Sequence, residues 1–369
     1  MIKKIFFGLV NILILVLFIA TPNLVNAKHI VGGDVTYECK GINGNKVKFE
    51  ITFTMYRDSK GNGAAFDAAA RFGIFKGHGN NWTYVGVKEQ APLDINAVNI
   101  DTGNPCLVVP SGIGVEKGVY RFEVELEVSE TESYMIAYQR CCRNNTIFNI
   151  VDPDVTGAVF SVTISPIAQS VCDDSPIWNG FPPVVICANT VLNFDHSATD
   201  SNGDQIVYSF CNPIAAGGID GVNFGNAESC TGITPKPIDC GPPFDLVQFK
   251  LPDYRVDIPL GNGVAMNQSS GLISGIPTVV GQFVVGVCAQ TFRNGVLIGS
   301  ISRDFQFNVT PCEISVRADI ASNKVINDPS NPELNSKFII NSCGDYSVDV
   351  INLSTDESKI FSYLWELEV

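Results

Sequence analysis

Twelve cysteines stand between positions 39 and 343, and none makes the C-x-x-C spacing of a thiolate metal site. Behind a secretory leader such a set reads as a disulfide framework, which forms and persists in oxidising compartments. The leader is legible: Lys3 and Lys4 open it, Ile5 to Ala20 are its apolar stretch, and Val25-Asn26-Ala27 is a small-residue cleavage site. Asn11, Pro22 and Asn23 interrupt the alternative reading as a membrane anchor. The sequence predicts a signal peptide over 1–27, a mature chain from Lys28, no transmembrane span after cleavage, and a secreted or cell-surface location.

The cysteines fall into even blocks: Cys39, Cys106, Cys141 and Cys142; then Cys172, Cys187, Cys211, Cys230, Cys240 and Cys288; then Cys312 and Cys343. Bridges are expected within blocks. Cys141 and Cys142 continue a strand, where successive side chains point to opposite faces, so they are expected to pair with Cys39 and Cys106, in either combination, rather than with each other. A redox pair is the alternative.

The rest of the composition points to β modules. Gly 33, Pro 20 and Phe 23 accompany only 17% charged residues, with no helical or heptad period. A formal charge of −14 argues against a nucleic-acid partner, which needs a basic face, and supplies carboxylates that attract divalent cations. Seven strand patterns follow one another in residues 28–165: Val35 to Cys39, Val47 to Tyr56, Arg71 to Phe75, Trp82 to Val87, Val119 to Val128, Tyr134 to Arg140 and Val159 to Ile164. Alternation of apolar and polar residues at 46–53 and 120–127 sets one face of each strand in a core and one in water. The block reads as a β-sandwich.

A second sandwich is expected over 166–311. Its opening stretch, Cys187 to Cys211, reads as two strands folded about Asn202-Gly203, a hairpin turn signal. Asp200, Asn202 and Asp204 stand in that turn, so it is either a plain reversal or a calcium site, with Asp152, Asp154, Asp173 or Asp174 as further ligands from the domain junction. Cys211, Cys230 and Cys240 are expected to staple the Gly- and Pro-rich insertion up to Pro243. Arg293-Asn294-Gly295 turns between two further strands.

The stretch Ser270-Gly271-Leu272-Ile273-Ser274-Gly275-Ile276-Pro277-Thr278, followed by Gly281-Gln282-Phe283, resembles the S-G-x-I-S-G-x-P-T-x-x-G-x-F/Y motif of bacterial cadherin-like and Ig-like modules. With HIVGGDVTYEC at 29–39, YQRCCRNNT at 138–146, NFDHSATDSNGDQIVYSFC at 193–211 and RNGVLIGSISRDFQFNV at 293–309, most of 28–310 is similar to the amino-terminal region of large Bacteroidetes surface proteins. Such proteins carry PKD repeats and a gliding-motility-associated or type IX sorting domain at the carboxyl end. Tyr346 to Ser354 and Phe361 to Leu367 resemble two strands of a PKD domain, so 312–369 is expected to be a partial PKD-like domain. The resemblance implies tandem disulfide-bridged β-sandwich domains at the cell surface, and it transfers no catalytic residue.

Enzyme signatures are not found. H-E-x-x-H, G-x-S-x-G and P-loop patterns are absent from the sequence. Ile30-Val31-Gly32-Gly33 looks like the activated amino terminus of chymotrypsin-like serine proteases, but the T-A-A-H-C and G-D-S-G-G contexts are missing and the three histidines, His29, His78 and His196, adjoin no serine nucleophile motif. Asp34, Asp58, Asp67 and Asp101 are candidates for a carboxylate pair and read more simply as solvated loop acids. Trp82, Trp178 and Tyr84 are either sugar-stacking platforms or core. The expected function is a non-catalytic extracellular module for adhesion or cell-surface architecture, with a surface polysaccharide or protein as partner. The alternative is an ancillary binding region of a secreted hydrolase. No cofactor is required, calcium apart.

Overall fold

Val47, Phe49, Ile51, Phe53 and Met55 alternate with polar residues, and each is at most 2% exposed. This period of two fixes a strand with one buried face. The computed structural model describes residues 30–60, 63–99, 112–218 and 226–312, and the backbone of Ile320–Ser322, Val325–Ile326, Ile339–Ile340 and Val350–Asn352. The signal segment, Cys106, Asp101 and Cys343 lie outside the described residues. So does the PKD-like reading, except that 320–322 pairs with 350–352 and 325–326 with 339–340.

All seven strands expected in the first block form, as β1 (Ile30–Asn43), β2 (Lys46–Asp58), β3 (Ala70–His78), β4 (Asn81–Gln90), β6 (Val115–Glu127), β7 (Ser133–Arg140) and β8 (Ala158–Ile164), and a short eighth, β5 (Asp94–Ala97), adds to them. A 3-10 turn, Pro153–Val155, and a one-and-a-half-turn helix α1, Pro166–Val171, were not signalled by any period. Ser165 caps α1 by accepting from the Ala168 amide. The remaining strands are β9 (Ile177–Trp178), β10 (Val185–Cys187), β11 (Leu192–Asp195), β12 (Ala198–Thr199), β13 (Gln205–Cys211), β14 (Ile214–Ala215), β15 (Asp245–Leu246), β16 (Val264–Met266), β17 (Leu272–Gly275), β18 (Gly281–Arg293) and β19 (Val296–Thr310). Asn294 and Gly295 turn β18 into β19 with φ of 53° and 78°, the left-handed pair that a two-residue hairpin loop demands. The protein is all-β, a curled sheet of sandwich character held by several disulfides.

The main sheet runs β4-β3-β7-β8-β19-β1-β2-β6-β5, with β18 and β13 branching from β19. It curls until the inner faces of β2 and β6 pack on those of β3, β7 and β8. Phe53 is the centre, with the rings of Phe72, Tyr120, Tyr138 and Phe160 at 5.4, 5.4, 5.0 and 5.6 Å. Burying each such side chain contributes about 1.5 to 3 kcal/mol.

The sheet crosses the expected boundary at 165/166. Gly32, Gly33 and Asp34 of β1 pair with Phe305, Asp304 and Arg303 of β19, and Thr163 of β8 pairs with Ser300. One core runs from Ile30 to Val309. The glycines explain how β1 lies so close to its neighbours: a Cβ on Gly32 would stand 2.2 Å from the Asp304 carbonyl oxygen, and one on Gly33 2.8 Å from that of Thr54. The Ile30-Val31-Gly32-Gly33 start is thus a strand whose glycines serve close packing.

The disulfides correct three expectations. Cys39 bonds to Cys172 and Cys187 to Cys312, both across the expected blocks, and Cys141 bonds to its neighbour Cys142. The reasons are local. Cys141 and Cys142 lie just past the end of β7, so strand alternation no longer separates their side chains. Cys172 follows α1, where the next residues bind β1 through Tyr37 N to Ser175 Oγ and Cys39 N to Asp174 Oδ1. Cys312 follows β19, which pairs in parallel with β10 up to Cys187. Cys211 bonds to Cys288 across the β13–β18 ladder, while Cys230 bonds to Cys240 within the insertion, so two of the three expected staples hold the loop itself.

Candidate functional site

The turn at 200–204 forms, but its flanking strands do not pair with each other. β11 pairs with β17, β12 with β9, and β13 with β18, so the expected hairpin is instead a crossing between separate ladders. Asp200 Oδ1 accepts from the amides of Asn202 and Asp204, and Asn202 Oδ1 accepts from the Asp174 amide. Arg293, at the end of β18, donates to both oxygens of Asp204 at 2.7 Å and to Asp173 Oδ1. A guanidinium therefore stands where an ion would have to draw in Asp204. The set Asp200, Asn202 and Asp204 does not fit calcium as arranged, and among the described residues no group of three His, Cys, Asp or Glu side chains is placed to hold a metal. Asp173 Oδ2 and Asp200 Oδ2 remain buried without a donor among the described residues. Burial, and then the Asp204 and Asp200 charges, hold the Asp173 carboxyl above its ordinary range against the opposing pull of Arg293.

The other candidates are each engaged, and two of them, Asp34 and Trp178, meet at Arg303. Asp34 is buried and accepts from Arg303 Nε at 3.2 Å; burial raises its pKa, offset in part by Arg303 and then by Lys117. Asp67 accepts from the Tyr138 hydroxyl and faces Arg140 at 3.3 Å, and Asp58 Oδ1 accepts from the Lys60 amide. Trp82 donates to the Gly79 carbonyl, and Tyr84 packs edge-on to Phe75, in a satellite core. Trp178 is 7% exposed, with the Arg303 guanidinium 5.0 Å from its ring and His196 edge-on at 4.7 Å. His196 is 2% exposed, both its ring nitrogens lack partners among the described residues, and burial holds its pKa well below the ordinary value. It is sealed from substrate.

What sequence reasoning missed is a groove of about 480 Å³, within the range of ligand pockets. Its floor is the outer face of β1, β2 and β6. Register sets its rungs: Asp34 beside Thr54, Thr36 beside Thr52 and then Arg121, and Glu38 beside Glu50. Its wall is the segment Ile177 to Phe181. That wall is firmly seated: Arg303 donates to the Gly180 carbonyl at 2.7 Å, the Phe181 ring lies 4.6 Å from Tyr56, and Asn179 binds Ser197 and Thr199. The signal was present as alternation, since the polar partners of each core residue on β2 had to line something. Only the wall, 125 residues further on, turns that face into a groove.

No protein-family model matches the chain, and no curated protein matches it. Among the described residues no helix is long and apolar enough to cross a membrane.

Proposed function

We propose that the chain is a non-catalytic extracellular binding module, used in adhesion or cell-surface architecture, that holds a surface polysaccharide in the groove on β1, β2 and β6. The observation that carries this is a polar sheet face, walled on one side, whose three threonine hydroxyls, Thr36, Thr52 and Thr54, make no hydrogen bond among the described residues. A sheet face offers side chains and no free backbone groups, which suits a hydroxyl-rich polymer better than an extended peptide seeking a sheet edge. The carboxylates at hand are tied to cations: Asp34 to Arg303, and Glu38 and Glu50 to Lys40 at 2.8 and 3.5 Å. The disulfides suit secretion, and the motif resemblance to the amino-terminal region of Bacteroidetes surface proteins, with its gliding-motility association, supports the same setting.

The test is a screen of the full chain against polysaccharides, surface proteins and generic hydrolase substrates. Reversible polysaccharide binding without turnover, lost in the Thr36→Val, Thr52→Val double variant, is the expected result. Turnover of any substrate, or binding that ignores the groove variant, overturns the proposal.

A further inference from the structure

The unengaged charge in the groove is positive. Lys117 is half-buried in it and makes no ion pair among the described residues, although it lies within electrostatic reach of Asp34, whose carboxylate is already committed to Arg303. Arg121 is exposed, and its Nε lies 3.7 Å from Glu50, a carboxylate that it shares with Lys40 and that does not neutralise both cations. Both point outward from β6, four residues apart and hence about 14 Å along the strand. Between them, on the neighbouring strand, stand the hydroxyls of Thr52 and Thr54, which make no hydrogen bond among the described residues, with Thr52 directly beside Arg121. Hydroxyl donors flanked by two cations match one kind of polymer, with hydroxyls throughout and anionic groups at intervals. The charge of −14 does not forbid it, because exposed charges are screened within about 8 Å at physiological salt, and the groove's own cations then decide.

We infer that the groove selects an acidic polysaccharide, with Lys117 and Arg121 as its anion-binding residues and Thr52 and Thr54 donating to sugar hydroxyls between them. This rests on the groove being the binding site. Neutral glycans satisfy the hydroxyls and leave both cations to water. Charged ones replace that water with charge-assisted hydrogen bonds, the stronger class.

The experiment is calorimetric titration of the full chain with an oligogalacturonate, a sulfated dextran oligomer and an uncharged dextran oligomer, at low and at raised salt. A charged oligomer is expected to bind about tenfold or more tightly than the uncharged one, and Lys117→Gln or Arg121→Gln to weaken it about tenfold each. Raised salt should remove the preference. Carboxylate and sulfate arms distinguish the two anions. Equal binding of charged and uncharged oligomers, or silent Lys117→Gln and Arg121→Gln variants, overturns the inference while the groove stands, provided Thr36→Val, Thr52→Val still abolishes binding. If that double variant is also silent, the groove reading itself fails. Circular dichroism and melting of each variant exclude loss of fold as the cause.

Discussion

Arg143 meets both carboxylate oxygens of Asp304, 161 residues along the chain, with its side chain only 1% exposed. The same guanidinium donates to the carbonyls of Gly157 and Ile214, so one residue ties the end of β7 to β8, β14 and β19. Asp304 in turn sits opposite Gly33, and its neighbour Arg303 reaches Asp34 on the other face. Three of the motifs quoted from the sequence thus converge on one buried polar junction. Their residues serve the fold.

Breaking this junction by halves should cost more than removing it. Arg143→Met leaves the Asp304 carboxylate buried and unpaired, and a loss of about 3 to 5 kcal/mol is expected by chemical denaturation. The Arg143→Met, Asp304→Leu double variant should recover a large part of that, because the penalty lies in the orphaned charge. A double variant less stable than either single one would contradict this.

Gly32→Ala should destabilise by about 1 to 3 kcal/mol or prevent folding, because its Cβ meets backbone that cannot step aside. Gly41→Ala is the control for strand glycines with open space around them, although its φ of 126° carries strain of its own. A milder effect at Gly32 than at Gly41 would show that β1 and β19 are less tightly apposed.

These observations show what could be read from the chain alone. Period two gave the seven strands of 30–164, and Asn294-Gly295 gave its turn, since both are written in adjacent residues. The pairing of β1 with β19 is not, because it joins residues about 270 positions apart and nothing local encodes it. Arg303 and Asp304 are successive on a strand and so face opposite ways, one to the groove wall and one to Arg143. Alternation would have put one of them in water. The even cysteine blocks misled for a related reason: parity is satisfied by many pairings, and only the fold chooses. Asp200, Asn202 and Asp204 looked free because their competitor, Arg293, lies 89 residues beyond Asp204.

Arg293 should make the 200–204 turn independent of calcium. Millimolar calcium is expected to leave the melting temperature of the wild-type protein unchanged, while Arg293→Gln lowers it by leaving Asp173 and Asp204 unpaired. A calcium-dependent rise in the wild type would show that the ion displaces the guanidinium.

Asp173 and its arginine also carry a pH signature. A carboxyl whose folded pKa is raised above its ordinary 3.8 binds its proton more readily in the folded state, so its contribution favours folding as pH falls toward 3.8 and is lost as pH rises through the folded value. Asp173→Asn cannot titrate. The variant should therefore compare best with wild type at neutral pH and fall behind as the solution is acidified toward pH 4, as measured by denaturation at each pH. The opposite trend would mean that Arg293 outweighs burial at this carboxyl.

His196 should produce the reverse dependence, and the sign separates it from Asp173. Its folded pKa is held well below the ordinary 6.5 by burial, with the Arg303 charge adding to the effect. The unfolded chain therefore takes up a proton below pH 6.5 that the folded chain refuses. Stability from this group is fully present above 6.5 and is lost as pH falls below it, by up to about 1.4 kcal/mol per pH unit. His196→Phe keeps an aromatic ring between Trp178 and Phe194 and removes two unpartnered nitrogens. It should be at least as stable as wild type at pH 7 and flatter between pH 7 and pH 5, in urea titrations at intervals of half a pH unit. Parallel curves for the two proteins would show that His196 finds a proton acceptor in the folded state and is not sealed as its surroundings imply.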